Sequence, residues 1–464
     1  MLQVTINFTK RMLTNRNKVS QSLSIRLLLL LILTLKQIKS IPVFLVLVTL
    51  SLRAYSQYCT NDNRFTETAV FTYNQTTSDE NIVYGSAATL TGEMQDLIMN
   101  VHYPGFSYDP LNKRPLIVLM HGGMFLNGSL TNLDSVCIEF SKRGFVAATI
   151  EYRKGWDFVP NCQSVTVSTV ISANRAVYRA IQDLHASLRY LVNNADYYGI
   201  DTAWIFSGGV SAGAFATVDL AFINSEEFIE RWPYCIDPQF GPPLGYINTS
   251  GNTLTNTFTL KGLFHNWGSI IDIDYIRPFN AIPLIGFAGE LDKISPIDSG
   301  FFEGCNNYEI IFGTRAIYEQ LNGLGVCTEI NIKLNEGHGV YNSTYEQGLY
   351  RIGKACCFFK SLFCESCISS YHTDSIPTNC SLLTHSEKST RMSELRVEPN
   401  PGDGHFTLHS GSATGNRIKV YSIEGKLVHE EQIMYPVQEI DLTEQRKGLY
   451  IFVVNSERAK VILW

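Results

Sequence analysis

Neither of two early apolar runs in this 464-residue chain, Leu27–Leu33 and Ile41–Leu52, reaches the roughly 18–20 residues that a membrane-spanning helix requires. Lys36 and Lys39 lie between them, so the runs do not merge into a stable membrane span. A concentrated basic face is lacking as well. The 37 Lys and Arg against 43 Asp and Glu leave a net charge of −6, which argues against nucleic acid as a partner. There is no internal repeat and no low-complexity block. The pairs Cys356-Cys357 and Cys364-x-x-Cys367 lack both the ordered four-ligand spacing of a zinc site and the βαβ context of a redox motif.

What is present is an ordinary globular balance, 45% hydrophobic and 17% charged, in a chain long enough for two or three domains. The eleven cysteines point to an oxidising compartment, and their odd number leaves at least one thiol unpaired. The start of the chain agrees. Lys36 and Lys39 form a basic region, Val43–Leu52 an apolar one, and Ala54-Tyr55-Ser56 a small-x-small cleavage site before Gln57, the order of a secretory signal. A membrane anchor is the alternative. Residues 1–56 are therefore expected to be a leader, and the later cysteines to form disulfides tying the last helix to the segment around Cys380.

Over 57–380, continuous apolar runs alternate with helical patterns. Leu116–Met120, Phe145–Ile150, Trp204–Phe206 and Pro283–Ala288 read as strands buried on both faces. Between them, Val177, Ile181, Leu184, Leu188 and Leu191 recur at helical spacing, which predicts βαβ crossovers and a mostly parallel sheet. Residues 381–393 are polar and read as a linker. Residues 394–464 carry alternating runs such as Arg417–Tyr421 and Leu449–Val453, punctuated by Gly404, Gly425 and Gly448, and predict a small β-sandwich.

Gly209-Val210-Ser211-Ala212-Gly213 is the candidate reactive centre. The pattern G-x-S-x-G is weak alone, but here it follows a buried strand and precedes the helical run Phe215–Leu220, the strand–turn–helix context of a nucleophile elbow. Upstream, the strand Leu116–Met120 runs directly into His121-Gly122-Gly123-Met124-Phe125. With this loop the chain resembles the carboxylesterase, lipase and feruloyl-esterase branch of the α/β-hydrolase superfamily, departing from it at Met124, where many members carry a third glycine. The resemblance implies an α/β-hydrolase fold, Ser211 as nucleophile, and an oxyanion hole from the amides of Gly122, Gly123 and Ala212. It also implies the chain order Ser, acid, His. Gly289-Glu290-Leu291-Asp292-Lys293-Ile294-Ser295-Pro296 resembles the family's acid loop and marks Asp292, with Glu290 and Asp298 as rivals. His338, in the loop after the alternating run Thr328–Leu334, is the candidate base, whereas His372 and His385 are poor ones. His265 reads as pocket lining or core. Residues 222–260 sit where this fold often inserts a cap, and Trp232, Tyr234 and Phe240 there are candidate cleft residues.

The last 70 or so residues resemble the type A sorting domain of the type IX secretion system, through Val397–Pro401, Gly404–Leu408, Val420–Val428, Ile440–Leu442 and Lys447–Tyr450. That resemblance implies export, with the type IX machinery as partner and a secreted or cell-surface destination. The combined expectation is a secreted serine esterase that needs no metal or organic cofactor and acts on a small or polymer-borne ester. A serine peptidase of the same fold and a catalytically inactive binding protein are the alternatives.

Overall fold

The computed structural model describes residues 56–374, 396–409, 417–423, 426–434, 437–454 and 457–464. The expected leader up to Tyr55, Cys380, the linker over 381–393, His385 and Gly425 lie outside these residues.

Nine strands form the central sheet: β1 (Thr76–Ala88), β2 (Met94–Pro104), β3 (Arg114–Met120), β4 (Val146–Ile150), β5 (Ile200–Val210), β6 (Leu260–Asn266), β7 (Leu284–Gly289), β8 (Thr328–Lys333) and β9 (Ser370–Thr373). Their spatial order is β1-β2-β4-β3-β5-β6-β7-β8-β9. The first two pairings are antiparallel and all those from β4 onward are parallel. Every residue of β3, β4 and β7 is buried, which accounts for their unbroken apolar sequences. The crossovers carry α1 (Asp134–Ser141), α2 (Val167–Asn193), α3 (Ala212–Phe222), α4 (Ser225–Arg231), α5 (Thr314–Gly323) and α6 (Tyr345–Phe363).

Alternation along β3 divides the core. Leu116, Val118 and Met120 join a cluster with Ala180, Leu184 and Leu188 of α2 and Ile317 of α5. Ile117 and Leu119 join another with Phe140 of α1 and Phe359 and Phe363 of α6. Each such side chain contributes about 1.5–3 kcal/mol on burial. The helix marked by the periodic residues Val177 to Leu191 begins earlier, at Val167, where the Thr166 side chain accepts from the Thr169 amide and caps it.

Three disulfides join Cys59 to Cys364, Cys162 to Cys305 and Cys327 to Cys367, and Cys357 is disulfide-bonded as well. Cys137, Cys235 and Cys356 are free and buried. The expected tie from the last helix to the segment around Cys380 falls on a residue outside those described. Cys364 and Cys367, just beyond α6, reach the N-terminal segment and the approach to β8. The partners are 305 and 40 residues away in sequence, so local spacing carries no sign of either bond.

The C-terminal residues form two antiparallel sheets. One holds Arg396–Glu398, His405–His409 and Val437–Asp441; the other holds Arg417–Ser422, Leu427–Gln432, Gly448–Val454 and Glu457–Leu463. Their inner faces enclose a separate core that includes Phe406, Leu408, Ile418, Val420 and Phe452. This is the small sandwich expected of the alternating sequence.

Candidate active site

Ser211 stands at the turn between β5 and α3, at φ 53° and ψ −121°. A non-glycine residue is held in such a region at a cost of about 1–3 kcal/mol, and only where its surroundings enforce it. Here they do. The Ser211 amide donates to the Asn266 carbonyl at 2.9 Å, and the flanking glycines let β5 and α3 close on the end of β3. A Cβ at Gly209 would lie 2.7 Å from the Met120 carbonyl oxygen, and one at Gly213 only 2.2 Å from it. The two glycines are therefore steric requirements of the turn.

His338 Nε2 lies 2.8 Å from Ser211 Oγ, and its Nδ1 lies 2.7 Å from Asp292 Oδ2. A carboxylate can only accept, so Nδ1 carries the proton and Nε2 presents its lone pair to the serine hydroxyl. The other oxygen of Asp292 accepts from the amides of Ile294 and Ser295, both at 2.9 Å. Asp292 is buried and His338 partly exposed, so the carboxylate is fixed in place while the imidazole faces the cleft. The rivals stand elsewhere. Glu290 is exposed and accepts from the Asn335 amide, and Asp298 is paired with Arg315 Nε at 2.6 Å.

The loop after β3 comes up beside this serine. A Cβ on Gly122 would lie 3.1 Å from Ser211 Cβ, so only glycine leaves space there for a reacting group. Ala212 is the first residue of α3, and its amide has no acceptor within the helix. Met124 and Phe125 follow at φ 58° and 57°. The position at which many family members carry glycine thus keeps a glycine-like backbone with a methionine on it. Trp156 Nε1 donates to the Met124 carbonyl at 2.8 Å, and the Gly155 amide to that of Phe125 at 2.7 Å. His121 is fully buried, stacked on Tyr152, with Nε2 at 3.3 Å from Glu151. Burial raises the Glu151 carboxyl, but bonds from His121 and Lys154 outweigh this and hold it below the usual carboxylate value. That charge anchors the base of the loop.

Beside Ser211 lies a cavity of about 80 Å³ walled by Met124, Phe125, Trp156, Phe215, Trp232 and Ile311. Trp232 is therefore cleft lining, as the sequence suggested. Tyr234 stands behind the wall and accepts from Asn174. Phe240 lies apart, half exposed and edge-on to Tyr234, and does not line this cavity, because the chain turns away through Pro238–Phe240. His265 is buried and belongs to the core. A separate cleft of about 610 Å³ is lined by Gly122, Gly123 and Val210 together with polar groups including Asn132, Asn342, Ser343 and Thr344.

Residues 106–233 match the family model BD-FAE, an α/β-hydrolase-like esterase family, and residues 396–463 match the model of the secretion system C-terminal sorting domain. No curated protein matches the chain. Among solved structures, the propionate-bound thermophilic esterase Est2 of Thermogutta terrifontis is 19% identical, with 58% of this chain and 90% of that one covered and a TM-score of 0.38. Esterase B of Lactobacillus rhamnosis is 14% identical, with 64% and 88% covered and a TM-score of 0.40. The sorting domain addresses the chain to type IX secretion and hence to the cell surface or the medium. No helix among the described residues is long and apolar enough to cross a membrane.

Proposed function

We propose that this chain, which carries a BD-FAE domain and a C-terminal secretion sorting domain, is a carboxylic-ester hydrolase that works outside the cell through Ser211, His338 and Asp292. The observation that carries the reading is the unbroken line from Ser211 Oγ through the His338 ring to the Asp292 carboxylate, 2.8 Å and 2.7 Å, at the tip of a strained elbow. Ser211 Oγ attacks the ester carbonyl as its proton passes to His338 Nε2. The carbonyl oxygen, now an oxyanion, is received by the amides of Gly122, Gly123 and Ala212. Collapse expels the alcohol, which takes the proton from the imidazolium, and leaves an acyl-enzyme. Water, deprotonated by the same nitrogen, repeats the sequence and releases the acid. Asp292 stabilises the imidazolium and fixes its orientation.

The spaces near the serine suggest the substrate. The apolar cavity of about 80 Å³ beside Ser211 has room for a short acyl group, and the cleft of about 610 Å³ along Gly122, Gly123 and Val210, whose mixed lining includes Asn132, Asn342 and Thr344, for a bulky hydroxylated alcohol portion. Passage outwards would bring the chain into contact with the type IX machinery through residues 396–463.

Hydrolysis of p-nitrophenyl esters from acetyl to palmitoyl tests the reading. The expected result is a maximum at the short end and loss of activity, on the order of 10⁶-fold, in Ser211→Ala. An unchanged rate in that variant, or failure of the wild type to react with a fluorophosphonate, would overturn it.

A further inference from the structure

Arg351, on α6, is almost fully buried, and no carboxylate among the described residues pairs with it. Desolvation lowers its ordinarily very high pKa to about 10. Burying a cation without a counter-charge is costly, so its three hydrogen-bond acceptors have to repay much of that.

Those acceptors divide between the end of β6 and the loop after His338. Nη1 donates to Asn266 Oδ1 at 2.8 Å, and the same asparagine receives the Ser211 amide on its carbonyl and donates Nδ2 to the Gly209 carbonyl at 2.9 Å. Nε donates to the Tyr341 carbonyl at 2.9 Å and Nη2 to Asn342 Oδ1 at 2.6 Å, three and four residues after His338. The guanidinium also lies 4.9 Å from the ring centre of Trp267, whose ring meets His338 edge-on. The nucleophile's turn and the histidine's loop come from distant parts of the chain. A single rigid fork of N–H groups holds both.

We infer that Arg351 is a positioning residue that sets the distance between Ser211 and His338 by clamping the Asn266 side chain to the Tyr341 carbonyl and the Asn342 side chain. The inference rests on those two residues acting as nucleophile and base. Lysine would keep the charge but not the fork, so charge and geometry can be told apart. Asn342 is exposed, and its loss removes one arm without opening the core.

The experiment uses the full mature chain, with active sites counted by fluorophosphonate titration and kcat and KM measured on p-nitrophenyl butyrate. Arg351→Lys is expected to lower kcat per titrated site by about ten- to a hundredfold with KM little changed, as for a misplacement of reacting groups. Asn342→Ala is expected to lower kcat by a few-fold at an unchanged Tm. A kcat per titrated site within twofold of wild type in both variants would overturn the inference, as would a loss carried wholly by KM. A wild type that does not react with the titrant would instead refute the proposed chemistry.

Discussion

Asp292 and Glu290 share one loop and one charge, yet their surroundings separate them. Asp292 is buried, with both oxygens engaged by His338 and by two amides, while Glu290 is exposed and accepts from the Asn335 amide. Asp292→Asn is expected to cut kcat by about 10⁴-fold through misorientation of the imidazole. Glu290→Gln should leave it within about twofold, as for other solvated surface carboxylates. Steady-state rates on one short ester decide between them. A reversed order would make Glu290 the acid.

Among the elements, α3 carries a second carboxyl with a different fate. Asp219 is fully buried, accepting among the described residues from the Ile271 amide alone at 3.2 Å, and desolvation holds its pKa well above the usual value. The folded state therefore binds a proton that the unfolded state releases near pH ~3.9. Stability falls as pH rises from that value towards the folded pKa. Asp219→Asn should remove this loss, so the Tm advantage of the variant should grow between pH 4 and pH 8. An advantage independent of pH would show that the group is not protonated.

The same scale shows what the sequence could reveal. Strands β3, β4 and β7 were legible because burial on both faces demands unbroken apolar runs. The elbow was legible because two backbones approach at Gly209 and Gly213. β1 and β2 were not, since β1 is mostly wet and the buried polar residues Asn100 and His102 interrupt the apolar run of β2. Ser211, Asp292 and His338, which stand in hydrogen-bond reach of one another, were singled out by chain order and loop resemblance. Arg351 did not, because one arginine in a helix resembles a surface charge until its neighbours are known. Met124 hid its left-handed backbone behind an ordinary side chain. The pairing of Cys162 with Cys305 was equally silent, although it joins the segments bearing Trp156 and Phe302 in the wall of the cavity beside Ser211. Cys162→Ser with Cys305→Ser should cost about 2–5 kcal/mol. It should also raise KM for short esters more than it lowers kcat, which paired melting and kinetic measurements would test.

For the molecule as a whole, the two cores of the sheet and the core of the C-terminal sandwich share no residue. A chain ended within 381–393 should keep its esterase rate and its Tm but stay with the cells instead of reaching the medium. Fractionation with an activity assay tests this, and export of the shortened chain would exclude the sandwich as the address. The bond from Cys59 to Cys364 has a further consequence at this scale. It turns the 305-residue span between them into a covalent ring. An enzyme released among foreign proteases would be cut first at its exposed loops. A single cut within the ring leaves both pieces attached, so a nicked molecule should migrate as one band until it is reduced, and should keep working long after its backbone is no longer continuous.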